Sequence, residues 1–155
     1  MTNNYINVYN NLIKLTRNKS LYQNTNIDEN FSIRLTFFLL HFAFFLKNYQ
    51  PNNPKKILQE IYDFNFRQLE LSIREIGYGD QSINKKMKVY INLLHSMITE
   101  IHFWENLTKT EKLKKFSLFL SDFNKIDHLL DYFEQFNDKL SKKTLNSYLK
   151  SVSNP

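Results

Sequence analysis

Cysteine is absent from this chain of 155 residues. Disulfides, thiolate metal sites and a cysteine nucleophile are therefore excluded, and a reducing cytosolic compartment is allowed. Glycine is almost missing as well. The two that occur, Gly77 and Gly79, fall together in Arg74-Glu75-Ile76-Gly77-Tyr78-Gly79-Asp80, between two strongly helical segments. A chain so sparing of glycine places it where backbone geometry demands it. Alanine and valine are also scarce, so Phe, Tyr, Ile and Leu supply nearly all the apolar side chains and the core must be built from large residues. The first residues, Met1 to Asn7, lack both a charged region followed by an apolar run and the signature of a transit peptide, which predicts a chain that is not exported. The greasiest stretch, Leu35 to Leu46, is shorter than the ~20 apolar residues of a membrane-spanning helix. It reads as a buried helix.

What is present is helical period. Tyr5, Val8, Tyr9, Leu12, Ile13 and Leu15 recur every three or four residues and predict a first helix over about 4–17. The polar stretch Asn24 to Asn30 follows, with Asp28 or Asn30 as the cap of a second helix. That helix, about 31–46, is apolar nearly all round, so it belongs at the centre of a bundle. Pro51-Asn52-Asn53-Pro54 ends it and opens a third helix, 55–76, with Leu58, Ile61, Tyr62, Leu69, Ile73 and Ile76 as its inner stripe. Asp63, Arg67, Glu70 and Arg74 form an alternating charged row on another face, turned to solvent or to a partner. A fourth helix is predicted over about 82–104, then further helices over 109–123, 126–136 and 140–149, with Ser151 to Pro155 as a frayed tail. Nothing reads as β. The expectation is an all-α, single-domain bundle of about six to seven helices, 1–150, packed around the helix at 31–46.

Few signals point to chemistry. Gly77-Tyr78-Gly79-Asp80 follows a helix rather than a strand and lacks the third glycine and the Lys-Ser/Thr of a phosphate loop. Its structural reading is that Gly77 closes the third helix in the left-handed conformation, Gly79 permits the turn, and Asp80 or Ser82 caps the fourth. Lys85, Lys86 and Lys88 crowd the start of that helix, where the helix dipole disfavours positive charge by roughly 0.3–1 kcal/mol each. With Arg74 they form a basic rim suited to an acidic segment, an RNA backbone or anionic lipid headgroups, or else a plain solvated face. His95 and His102 stand two turns apart rather than the one that chelation favours, and no metal or cofactor is expected. His41, inside the apolar helix, is read as a neutral imidazole bonded to a carbonyl or a neighbouring side chain. Arg34 on the same helix must find a carboxylate or a polar cleft. No Ser-His-Asp set or convergent carboxylate pair is apparent, so no enzymatic activity or small-molecule substrate is expected.

The segment Arg74 to Lys88 resembles the ubiquinol–cytochrome c chaperone family, whose members carry a helix ending Arg-Glu-Met-Gly-Val-Gly-Asp and then a Lys/Arg-rich helix start. A second block agrees, with Arg34 preceding the apolar helix and Leu40-His41 as its Leu-His step. The likeness runs over about Leu21 to Trp104, with Glu70 where Asp is usual and the bulkier Tyr78 where Val is usual. It makes Arg34, His41, Glu75, Gly77, Gly79 and Asp80 the structural motif.

The resemblance implies a non-enzymatic assembly factor for the bc1 respiratory complex, with newly made cytochrome b as client, held peripherally at the cytoplasmic face of the inner membrane, or at the matrix face in mitochondria. It further implies a second assembly protein and a ribosome contact for mitochondrial members, while the missing transit peptide points to the bacterial form. Arg74, Tyr78, Lys85, Lys86 and Lys88 are then the residues expected to face client or membrane. The rival expectation is a basic RNA-binding or ribosome-associated helical module, suggested by the net charge of +6 and a second cluster at Lys112, Lys114 and Lys115.

Overall fold

A computed structural model describes residues 4–22, 31–121, 126–150 and 152. The described residues form α1 (Tyr5–Thr16), α2 (Phe31–Tyr49), α3 (Lys55–Ile76), α4 (Asp80–Ile101), α5 (Lys109–Phe119), α6 (Ile126–Lys142) and α7 (Leu145–Lys150), with single 3-10 turns at Lys19–Leu21 and Trp104–Asn106. The architecture is an all-α bundle. The predicted caps Asp28 and Asn30 and most of the predicted tail lie outside the described residues.

α2 is the axis. Every residue from Phe37 to Leu46 is buried, nearly three turns, which is possible only because α1, α4 and α6 pack around the helix. By length and composition α2 also qualifies to cross a membrane, with a mean hydropathy of 1.2. Here its apolar surface is covered by neighbouring helices. On its α6 side four aromatic rings close a circuit: Phe44 stacks on Phe133 at 5.6 Å, Phe133 meets Phe116 edge-on at 5.6 Å, Phe116 stacks on Trp104 at 5.3 Å, and Trp104 returns to Phe44 at 5.1 Å. Large rings bury much apolar area per residue, and offset or edge-on pairs add to that. They suit a chain with almost no small apolar side chains.

Polar groups tie the ends of the bundle together. Asn7 Nδ2 donates to the Leu149 carbonyl at 2.7 Å and Asn11, one turn on, to that of Tyr148 at 3.3 Å, so α1 satisfies orphan carbonyls at the end of α7. Lys47 Nζ reaches Glu105 Oε1 at 2.6 Å, Asn137 donates to the same oxygen at 3.2 Å, and Asn48 donates to Asn137 at 2.8 Å. Partial burial pushes the Glu105 carboxyl up, but the Lys47 and Asn137 bonds prevail and hold it below its ordinary value.

Several boundaries differ from the sequence reading. α4 begins at Asp80, not Ser82, and ends at Ile101, with Trp104 in the separate turn. α5 ends at Phe119, and α6 runs on to Lys142, taking in Leu140, which the sequence reading assigns to the last helix. The reason is packing: Leu129, Leu130, Phe133, Phe136, Asn137 and Leu140 form one continuous buried stripe at helical spacing. α5 starts at Lys109, as expected. Thr108-Lys109-Thr110-Glu111 is a capping box, in which the Glu111 N–H donates to Thr108 Oγ1 at 3.2 Å and the Thr108 N–H to Glu111 Oε1 at 3.0 Å.

Candidate functional site

The glycine turn joins α3 to α4. Gly77 has φ of +105° and its N–H donates to the Arg74 carbonyl at 3.0 Å, closing α3 as expected. Gly79 is different. Its φ of −77° and ψ of 163° are open to any residue, and it serves as the N-cap of α4 with its carbonyl accepting from Ile83 at 2.9 Å. Neither Asp80 nor Ser82 is the cap, because the helix has already begun at Asp80 and its carboxylate is engaged elsewhere. A Cβ added at either glycine meets nothing within 4 Å, so only backbone strain separates them. Gly77→Ala is expected to cost about 1–2 kcal/mol, and Gly79→Ala to be neutral or slightly stabilising. Urea denaturation of the two variants checks this, and equal costs would remove the argument.

Arg74 staples the turn. Its guanidinium donates to Asp80 and, at 3.5 Å, to Glu70 one turn back on α3. Bonding to Asp80 raises the guanidinium above its already high value, against a smaller opposing desolvation. Glu75 is exposed. Arg74 and Asp80 therefore hold the ends of α3 and α4 together, whereas the lysines have another setting. No described carboxylate pairs with Lys85, Lys86 or Lys88. Because α4 starts at Asp80, the three lysines lie beyond its first turn, where the dipole effect has largely faded. The predicted dipole conflict is correspondingly weaker.

Around the lysines the surface is apolar as well as basic. Lys86 Nζ sits 4.5 Å from the centre of the Tyr78 ring, a cation–π contact, and that ring is 43% exposed. Val89 projects between Lys86 and Lys88 around the helix, one turn on from Lys85, and is 60% exposed. Ile76, expected in the inner stripe of α3, is instead 52% exposed at the helix end beside Gly77. Sequence reasoning missed both aliphatic residues as part of this surface. Val89 falls off the helical stripe that Ile83, Met87, Tyr90, Ile91, Leu94, Ile98 and Ile101 make along α4, which was a usable signal. Ile76 keeps the period of α3 and gave none.

The motif residues of α2 are separated from this ridge. His41 is fully buried, with Nδ1 2.7 Å from the Phe37 carbonyl and Nε2 2.8 Å from the Tyr132 hydroxyl. Nδ1–H donates to the carbonyl, so Nε2 accepts from tyrosine. Burial lowers its pKa to about 4, against a smaller upward pull from the Phe37 bond. Arg34 is half-buried and stands with Arg17 on the wall of a mostly apolar cavity of about 220 Å³ between α1, α2 and α3. Tyr62 and His95 meet at 3.2 Å between α3 and α4. Among the described residues no three His, Asp or Glu side chains are grouped to hold a metal ion.

The second basic cluster is largely engaged internally. Lys112 pairs with Glu134 at 2.7 Å and lies 4.9 Å from the centre of the Trp104 ring, and Lys115 pairs with Glu100 at 2.5 Å. Lys85, Lys86 and Lys88 of α4 meet no carboxylate among the described residues and have exposed apolar neighbours, so they form a basic ridge. A helical bundle with such a ridge belongs to the class of interaction modules.

Residues 23–101 match the model of the ubiquinol-cytochrome C chaperone family, and the chain belongs to that family. The matched span takes in α2, α3, the glycine turn and α4, so the ridge lies within it. Its role is that of a chaperone in assembly of the bc1 complex, which implies a client protein. No curated protein and no solved structure matches the chain.

Proposed function

We propose that the client is newly made cytochrome b, bound without any catalytic step, and that the ridge of Lys85, Lys86 and Lys88 with Ile76, Tyr78 and Val89 is the docking surface. The observation that carries this is the coincidence of three unpaired lysines with three exposed apolar side chains at the family's glycine turn. Apolar contacts supply affinity for a hydrophobic client, and the lysines orient its loops or the anionic lipid around it. The place of action is the cytoplasmic face of the inner membrane, or the matrix face in a mitochondrion. Arg74 acts here through the turn it staples. Contact with a second assembly factor or the ribosome is not needed by this mechanism.

The test is the triple variant Lys85→Gln, Lys86→Gln, Lys88→Gln. Its thermal midpoint should stay unchanged, because no described ion pair is lost. Recovery of cytochrome b from native membranes in mild detergent, or partition onto phosphatidylglycerol vesicles, should fall roughly tenfold at physiological salt. A folded variant that keeps both activities returns these lysines to an ordinary solvated face. Loss of RNA binding instead, with strong salt dependence, would favour the nucleic-acid reading.

A further inference from the structure

Every residue from Arg74 to Ser82 is exposed, and a Cβ built at either glycine of that stretch meets nothing within 4 Å, so the turn projects beyond the packed helices. Ile76 and Tyr78 ride on this projection, and Val89 stands behind it on α4. The charges are sorted as well. Arg74 holds the Asp80 carboxylate and reaches Glu70, which leaves Glu75 as the acid of the turn without a described cation. Lys85, Lys86 and Lys88 outnumber it, and Lys86 lies over the Tyr78 ring at 4.5 Å, so one ammonium and one aromatic ring share a level.

A projection of this kind fits a bilayer interface. A partner protein would have to supply a hollow shaped to the turn, whereas the headgroup and acyl boundary of a bilayer yields to apolar groups for about 5–10 Å. A tyrosine ring is suited to the headgroup level, with an apolar body and a polar tip. Lysine stems lie along apolar surface while their ammonium groups reach anionic phosphates. At about 1.5 Å per residue Val89 stands about 13 Å along α4 from Asp80, so Ile76 and Tyr78 lead and Val89 trails. We infer that the glycine turn is a membrane tip: Ile76 and Tyr78 enter the boundary of an anionic bilayer, and Lys85, Lys86 and Lys88 hold its headgroups. This rests on the ridge being a docking surface and adds that lipid is what its leading apolar residues touch.

The chain has no cysteine, so one can be introduced at a chosen site and labelled alone. Ile76→Cys, Val89→Cys and Phe103→Cys in the whole chain each take a polarity-sensitive nitrobenzoxadiazole dye. All three positions are exposed, and Phe103, just past the 22 residues of α4, is about 30 Å from the turn. On phosphatidylglycerol vesicles the Ile76 label should brighten at least threefold and be quenched by a nitroxide high on the acyl chain. The Val89 label should brighten less and the Phe103 label not at all, and phosphatidylcholine vesicles should leave all three unchanged. Ile76→Asn together with Val89→Asn, with every lysine kept, should lower vesicle partition at least fivefold at physiological salt. Circular dichroism establishes that this pair is folded, and if it is not, the labels alone decide. Vesicle binding with the Ile76 label unchanged, equal brightening at all three sites, or partition unaltered by the asparagine pair overturns the inference. So does recovery of cytochrome b that depends on the three lysines while no label enters the bilayer. The ridge would then be a protein site, and the proposed function would stand without the tip.

Discussion

Phe133→Ala is expected to lower the free energy of unfolding by about 3–5 kcal/mol, the range for removing a large aromatic side chain from a packed core. Phe133 is fully buried where α6 meets α2 and α5. Its ring lies 4.9 Å from that of His41, 5.6 Å from those of Phe44 and Phe116, and 6.4 Å from that of Phe136. Alanine would leave a hole among side chains that are themselves large and rigid. The neighbouring side chains are large rings held by their own contacts, so little can move in to fill it. Native stability is typically about 5–15 kcal/mol, so one substitution removes a large share of it. Guanidinium denaturation measures the loss, with Phe103→Ala as control, because Phe103 is 64% exposed and should cost less than about 0.5 kcal/mol. A loss under 1 kcal/mol at Phe133 would mean that the aromatic circuit does not hold the bundle together.

The second large effect depends on pH. His41 is neutral in the folded chain because its ring is enclosed by Tyr132, Phe133 and Phe136, and its pKa falls from the ordinary 6.5 to about 4. In the unfolded chain the imidazole returns to its ordinary value. Between those two values the unfolded chain binds a proton that the folded chain refuses. Folding stability is therefore whole above pH 6.5 and is lost as pH falls toward 4, by about 1.4 kcal/mol per unit and about 3 kcal/mol in total. Protonation would also convert Nε2 into a donor facing the Tyr132 hydroxyl, which would have to stop donating to it and accept instead. His41→Gln removes the titration. Denaturant unfolding of both proteins at pH 7, 6, 5 and 4.5 should show the gap between them shrinking as pH falls. A constant gap would place the histidine's pKa near its unfolded value and contradict the burial argument.

The legible parts of this protein were those set by local chemistry. Gly77 could be placed in a left-handed turn because a helix followed at once by another needs a residue free of Cβ strain at that point. The burial of His41 and the core position of α2 followed from a run of residues with no polar face. Gly79 was misread by the same rule, since a glycine is free to adopt an ordinary conformation and nothing in the sequence says when it does. Asn7 and Asn11 were lost among the chain's many asparagines. Their role exists only because α7 ends beside α1, a long-range pairing that no local pattern encodes.

By itself the sequence determined the all-helical class, the central helix, the glycine turn and the family, because each rests on side-chain period, on backbone strain or on a contiguous motif. Tertiary structure alone decided which charges are available. Lys112 and Lys115 are drawn into ion pairs by carboxylates of other helices that packing brings near, while Lys85, Lys86 and Lys88 meet none among the described residues. It also decided that Ile76 faces outward and that Arg17, just past α1, and Arg34 of α2 line one mostly apolar cavity. The physical reason is that exposure and ion pairing are properties of neighbours in space, and neighbours from separate helices are fixed only when the helices pack.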